Sequence, residues 1–262
     1  MASGAALCHY SVRPMNAPLW VVIPTYNEAD TIERIVRATL DELDRVGPDE
    51  HRILIVDDNS PDGTGAIADS LAEQTEAVEV LHRTAKNGLG QAYIAGFRHA
   101  LDRGAEQVME MDADFSHDPR YIGDLLKAAE HADLVLGSRY VDGGGVRNWG
   151  LLRRLISRGG CIYARMILRV KIHDLTGGFK CINRRVLETI DLGTVRAEGY
   201  VFQIEVTYRA LLAGFNVVEV PIVFSDRTVG TSKMSARIAA EAMWRVPSLR
   251  RTAPAALAQA RK

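Results

Sequence analysis

No stretch of this 262-residue sequence approaches the roughly 18 to 20 apolar residues that a membrane-spanning helix needs. The first 17 residues lack a basic segment followed by an apolar core. They do not read as a secretory signal and are expected to form a flexible tail. Cysteine is scarce: Cys8, Cys161 and Cys181 lie far apart, with no C-x-x-C pair. That argues against a disulfide framework or thiolate zinc site and fits reduced thiols in the cytosol. The phosphate-binding string G-x-x-x-x-G-K-[ST] is missing, which argues against a P-loop nucleotidase. Gly88-Leu89-Gly90 continues as Gln91-Ala92-Tyr93 and does not complete the dinucleotide fingerprint, so a dehydrogenase is disfavoured. No internal repeat or low-complexity tract occurs, and nothing points to nucleic acid.

What the sequence does contain is an alternation. Hydrophobic residues make up 47% and charged residues 25%, the balance of a globular chain with a core. We expect one domain over 18–250 and a C-terminal tail over 251–262. Leu19 to Ile23 reads as a strand, and Ile32, Ile35, Val36, Leu40 and Leu43 follow at helical spacing. Further strands are predicted at Arg52 to Val56, Val78 to Leu81, Gln107 to Met111 and Leu134 to Gly137. Helices separate them: one from about Asp62, one over Leu89 to Arg103, one over Pro119 to His131. This order predicts an α/β, Rossmann-like, mostly parallel sheet with flanking helices. A strand near Phe179 to Ile182, a helix over Phe202 to Ala213, a strand over Val217 to Val220 and a helix from about Ser235 complete the reading.

In such sheets ligands bind beyond the C-terminal ends of the strands. Polar clusters fall there: Thr25-Tyr26-Asn27-Glu28, Asp57-Asp58-Asn59-Ser60 and Asp112-Ala113-Asp114. Two aspartates at i and i+2 repel unless a cation or donor lies between them. Hard oxygen ligands suit Mg²⁺ or Mn²⁺, which also bind substrate phosphates. Asp112 and Asp114 are therefore candidate metal ligands. An exposed acidic turn is the plainer reading of such a motif, but the strand-end position favours metal. Asp58 is a candidate contact to a nucleobase or ribose, and Asp57 stays undecided between ligand and turn. Asp62 is placed to cap the next helix. Arg139 after the fifth strand, and Arg227 and Lys233 around Thr228 to Ser232, are cations available to a diphosphate, although each taken alone reads as a solvated surface charge.

From Arg147 to Lys171 there are seven basic residues and no acidic one. Leu151/Leu152, Leu155/Ile156, Ile162/Tyr163, Met166/Ile167 and Val170 recur at helical period, with Arg154, Arg158, Arg165 and Arg169 on the other face. Gly159-Gly160 is expected to divide this segment into two short helices. An amphipathic basic helix of this kind suits a membrane interface. A core-packed hairpin with a solvated basic face is the competing reading.

The strings VVIPTYNE, VDDNSPDGT, MDADFSHDP, GSRYVDGGGV, TGGFK, GYVFQIE and FSDRTVGTSK, in this order from about Pro18 to Arg250, resemble the motifs of dolichol- and polyprenyl-phosphate mannose synthases. Those enzymes are inverting glycosyltransferases of the GT-A class. The resemblance implies that Pro24, Tyr26, Glu28, Val56 and Asp58 hold the nucleotide, and that Asp112, Ala113 and Asp114 form the metal and diphosphate site. It assigns Arg139, Arg227 and Lys233 to the diphosphate and sugar, with Asp114, Arg227 and Lys233 carrying catalysis. Arg153 receives the acceptor phosphate. Some relatives have Gln where this chain has Ser116, which leaves a third protein ligand to the metal open.

The implied reaction moves mannose from GDP-mannose to a polyprenyl phosphate at a membrane surface, with Mg²⁺ or Mn²⁺. It places the protein peripherally on the cytoplasmic face, with an integral membrane subunit as a partner, since relatives without membrane-spanning helices typically have one. Another sugar donor, such as a glucosyl nucleotide, and a non-catalytic nucleotide-sugar-binding subunit are the alternatives. Glu205 and Asp174 have the chemistry of a general base, but capping, salt bridging or sugar contacts suit them better.

Overall fold

The structure, a computed structural model, describes residues 17–195, 199–226 and 236–260. Most of the expected N-terminal tail, and with it any test of its flexibility, lies outside these residues, as do Arg227 and Lys233. The strands are β1 (Leu19–Thr25), β2 (His51–Asp57), β3 (Val78–His82), β4 (Gln107–Glu110), β5 (Leu134–Ser138), β6 (Gly145–Arg147), β7 (Lys180–Asn183), β8 (Val217–Pro221) and β9 (Val223–Ser225). The helices are α1 (Ile32–Val46), α2 (Thr64–Gln74), α3 (Leu89–Asp102), α4 (Ile122–Ala129), α5 (Leu151–Leu168), α6 (Arg184–Thr189), α7 (Gly199–Leu212) and α8 (Ala236–Ala260).

Seven strands form one sheet in the order β3-β2-β1-β4-β7-β5-β8. All neighbours are parallel except β7, which runs antiparallel to both β4 and β5. The central strands are apolar runs buried on both faces, as parallel strands between helices must be. Their side chains alternate. Val21, Ile23, Ile53 and Ile55 join the core that contains Ile32, Ile35 and Leu125. Trp20, Val22, Leu54 and Val56 join the opposite core, which contains Tyr93, Phe97 and Phe202. A second, two-stranded sheet pairs β6 with β9 in parallel.

β7 answers to the strand expected near Phe179 to Ile182, but its antiparallel direction and the β6/β9 pair carry no local signature in the sequence, because they depend on partners far along the chain. Two expectations differ from the structure. The Gly159-Gly160 pair does not divide the basic segment, since α5 runs unbroken from Leu151 to Leu168. Each glycine costs about 1 kcal/mol in a helix relative to alanine, but Cys161, Ala164 and Leu168 are buried just beyond and hold the last turns against the body. The segment read as a C-terminal tail from 251 is also helical: α8 continues to Ala260, and Ala253 and Leu257 are buried.

α3 reaches the sheet through Gly96. A Cβ there would lie 2.4 Å from Val22 Cγ1 and 3.0 Å from Val56 Cγ2, both on stiff β-branched side chains inside strands. Gly96→Ala is therefore expected to destabilise the protein by roughly 1–3 kcal/mol through overpacking. Urea unfolding of the two proteins side by side checks this, and equal midpoints would contradict it. The close approach matters for the site because α3 also carries Tyr93.

Candidate active site at the strand ends

The chain runs outward from β1 to β2 to β3, then crosses to β4 on the other side of β1. This reversal opens a crevice beyond the C-terminal ends of β1, β2 and β4, the place where open α/β sheets bind ligands. All three polar clusters line it. The first two are tied together: the Asn27 N–H donates to Ser60 Oγ at 3.1 Å and the Glu28 N–H to Thr64 Oγ1 at 3.0 Å. Asp57 braces the second turn, accepting from the Ser60 hydroxyl at 2.6 Å. Asp62 accepts from the Thr64 N–H at 3.1 Å and its hydroxyl at 2.6 Å, and from the Ala29 N–H at 3.1 Å. Partial burial opposes ionisation of Asp62, but these donors outweigh it and lower its pKa. Gly63, with φ 93°, provides the left-handed turn into α2.

Asp58 is 5% exposed and pairs with Arg83 Nη1 at 2.6 Å. Burial raises its pKa, and the nearby guanidinium offsets part of that. Lys86 Nζ lies 3.6 Å from the ring centroid of Tyr26. Arg83 and Lys86 bring two cations to the Tyr26 and Asp58 side of the crevice, and sequence reasoning missed both. Their signal was available, since they follow β3 at the same end of the sheet as the other clusters. Pro24, Tyr26 and Glu28 are partly exposed. Val56 is 0% exposed and packed in the core, so its side chain cannot reach a nucleotide.

The Asp112 to Asp114 turn is held by its neighbours. Asp112 Oδ1 accepts from the Tyr93 hydroxyl at 3.2 Å, and the Asp112 N–H donates to His117 Nδ1 at 3.0 Å. An accepting Nδ1 places the imidazole proton on Nε2 in the neutral ring. Burial also lowers the His117 pKa, against the pull of Asp112 and Asp114. Asp114 Oδ1 accepts from the Ser116 N–H at 3.0 Å. Phe115, at φ 60°, takes the left-handed conformation that bulky residues rarely adopt. Ala113 is buried.

The two carboxylates suit a divalent cation. Ser116 Oγ is buried and lacks a hydrogen-bond partner among the described residues, so a hydroxyl stands unspent beside them. Among those residues no group of three or more His, Cys, Asp or Glu side chains converges. A cation held by Asp112 and Asp114 would therefore take few charged ligands from these residues, and Mg²⁺ is an ion that commonly keeps waters and binds substrate phosphates.

Arg139 differs from its expected place. It is 7% exposed, and its Nε and Nη2 each lie 2.7 Å from an oxygen of the fully buried Asp174. Burial opposes the charge on both groups, but their mutual attraction wins, raising the Arg139 pKa and lowering that of Asp174. Asp174 and Thr176 thus engage the Nε and Nη2 of Arg139. Glu205 is likewise paired with Arg209 at 2.5 Å. Both carboxylates considered as general bases are committed elsewhere.

Arg153 sits on α5, with Nη1 2.6 Å from Asp226 Oδ2 and Cζ 4.2 Å from the Trp149 ring centroid. A run of contacts joins it to the acidic turn. Trp149 meets Phe224 edge-on at 5.5 Å, Phe224 meets His117 at 5.6 Å, and His117 holds the Asp112 N–H. α5 and the acidic turn thus belong to one end of the molecule.

The profile of the family described as Glycosyl transferase family 2 matches residues 20–191. The chain is 50% identical to polyprenol monophosphomannose synthase of Mycolicibacterium smegmatis over 238 residues, which is 90% of this chain and 88% of that protein. It is 46% identical to undecaprenyl-phosphate mannosyltransferase of Micrococcus luteus over 222 residues, 85% of this chain and 89% of the other. Among solved structures, glucosyl-3-phosphoglycerate synthase of Mycobacterium tuberculosis in complex with Mn²⁺ and UDP-glucose superposes with a TM-score of 0.63. It is 17% identical and covers 91% of this chain and 79% of its own. Mannosyl-3-phosphoglycerate synthase of Rubrobacter xylanophilus superposes with a TM-score of 0.62, at 19% identity, covering 89% and 74%. At such identities these two establish the shared GT-A-like fold. The chain belongs to glycosyl transferase family 2, and it is a glycosyltransferase.

Proposed function

We propose that this protein transfers mannose from GDP-mannose to a polyprenyl monophosphate, with inversion at the anomeric carbon. The observation that carries the reading is the joining of Asp112 and Asp114 to Arg153 at one end of the sheet through His117, Phe224 and Trp149. The names of the two mannosyltransferase relatives support the sugar and the lipid phosphate.

In this reading Tyr26, Glu28 and Asp58, with Arg83 and Lys86, hold the nucleoside. A phosphate oxygen of the acceptor, oriented by Arg153, attacks the anomeric carbon from the face opposite the diphosphate. The bond to the diphosphate breaks, and its electron pair leaves with GDP. Asp112 and Asp114 would hold Mg²⁺ or Mn²⁺, which when bound supplies positive charge to the departing diphosphate. Arg227 and Lys233 are assigned to the same charge. Purified protein incubated with GDP-mannose, other nucleotide sugars, polyprenyl phosphate and Mg²⁺ or Mn²⁺ tests this. Preferential turnover of a glucosyl donor would overturn the sugar. Binding of GDP-mannose with no turnover would leave a non-catalytic subunit.

α5 supports a membrane location. Among the described residues no helix is long and apolar enough to cross a membrane. Yet Leu151, Leu152, Leu155 and Met166 are 74%, 71%, 62% and 68% exposed, so this part of the apolar stripe of α5 is uncovered, while Tyr163, Ile167 and Val170 pack against the core. Beside it, Tyr163 donates to the carbonyl of Met243 on α8, next to Trp244, which is 83% exposed. Uncovered apolar side chains, an interfacial tryptophan and a surplus of arginines suit an anionic bilayer surface. An integral membrane subunit would share this face.

Binding to anionic vesicles is expected to fall as salt rises. Arg154→Gln, Arg158→Gln and Arg165→Gln together should weaken it further, since each cation near such a surface is worth about 1 kcal/mol. Vesicle sedimentation measures both effects, and a triple variant that sediments like the parent would rule out the basic face as the anchor.

A further inference from the structure

We propose that Trp149 is a positioning residue for the acceptor phosphate, holding the Arg153 guanidinium at a fixed place relative to the acidic turn. The inference rests on the functional reading above. Arginine carries a long side chain whose rotamer freedom must be given up before it binds an anion. Here that freedom is already restricted from two directions. The guanidinium carbon lies 4.2 Å from the indole centroid, and Asp226 bonds one edge at 2.6 Å. Indole is the strongest aromatic partner for such a cation.

The indole is itself fixed. Trp149 is 6% exposed, meets Phe224 at an interplanar angle of 76°, and lies 5.5 Å from the guanidinium carbon of Arg139. Arg139 is locked by Asp174, and Phe224 leans on His117. No hydrogen bond sets the ring, since its N–H is buried and unpartnered among the described residues. Among the described residues, ring contacts place it. A guanidinium ordered in advance binds its anion without the ordering cost, the general route by which preorganisation raises affinity.

Steady-state kinetics with GDP-mannose, Mn²⁺ and farnesyl phosphate, a short soluble acceptor, test this. Trp149→Leu is expected to raise the KM for farnesyl phosphate about tenfold, with the GDP-mannose KM changed by less than about twofold. Trp149→Phe keeps an aromatic face and should restore the acceptor KM to within about threefold of wild type. Arg153→Lys keeps the charge but loses the planar stack, and should resemble Trp149→Leu. An unchanged acceptor KM in Trp149→Leu or in Arg153→Lys overturns the proposal. So does an equal loss for donor and acceptor, or a Phe variant as impaired as the Leu variant. If Trp149→Leu does not fold, Trp149→Met, which fills space without an aromatic face, takes its place under the same expectations. A wild-type protein that transfers no mannose to farnesyl phosphate contradicts the functional reading instead. Calorimetric binding of farnesyl phosphate, weakened by Trp149→Leu, would then still support the positioning role, and equal binding would end it.

Discussion

Asp114→Asn is expected to lose at least about a hundredfold in kcat, equivalent to roughly 3 kcal/mol of transition-state stabilisation. The side chain is 4% exposed, and its Oδ1 accepts from the Ser116 N–H at 3.0 Å. Asparagine keeps the size and one carbonyl acceptor, so the turn can persist while the charge disappears. A neutral amide is a poor ligand for a hard divalent cation. The loss should therefore come with weaker metal-dependent binding of GDP, measured by calorimetry at several Mn²⁺ concentrations. Binding without metal should be nearly unchanged, because Asp58, Arg83 and Tyr26 stand at the ends of β1, β2 and β3 and not in the acidic turn after β4. An identical metal dependence in the variant would remove Asp114 from the metal site. A fall in metal-free binding of similar size would show that the substitution disturbed the turn instead.

The acidic turn was legible in the sequence because its signal is local: an apolar strand that stops, followed by two aspartates. The same holds for the parallel half of the sheet, where each strand and helix carries its own periodicity. What escaped was set by tertiary partners. Nothing near Arg139 announces that Asp174, thirty-five positions later, closes on it with two 2.7 Å contacts. Sequence reading therefore found the strand-end cation but not the carboxylate that holds it. Val56 read as a nucleotide contact through resemblance, but strand alternation turns its side chain into the core. The apolar stripe of α5 was visible as a period. Whether it faced core or surroundings depended on what packed against it, and only Cys161, Ala164 and Leu168 are buried there.

The second large effect concerns the acceptor. A hydroxyl nucleophile has a high pKa, so enzymes that glycosylate alcohols position a base, usually worth about 10²–10⁴ in rate. Both carboxylates that sequence reasoning considered for that task are occupied, Asp174 by Arg139 and Glu205 by Arg209. A phosphate monoester needs no such base. Its second pKa is about 6, so it carries roughly −1.5 to −2 charge near neutral pH and is already a nucleophile. What it needs is orientation and partial charge compensation, which Arg153 is placed to give. We therefore expect polyprenyl phosphate to be a substrate and free polyprenol to react at least about a thousandfold more slowly. Arg153→Ala should lower kcat/KM for the lipid phosphate by roughly thirtyfold, or about 2 kcal/mol, with GDP-mannose affinity nearly unchanged. Radiolabelled mannose transfer to each lipid, extracted and counted, reads both results. Comparable labelling of the alcohol would show that a general base operates and that the site works by other chemistry. If Arg153→Ala kept its kcat/KM for lipid phosphate, the phosphate would be held elsewhere, and the α5 side of the crevice would lose its role in the reaction.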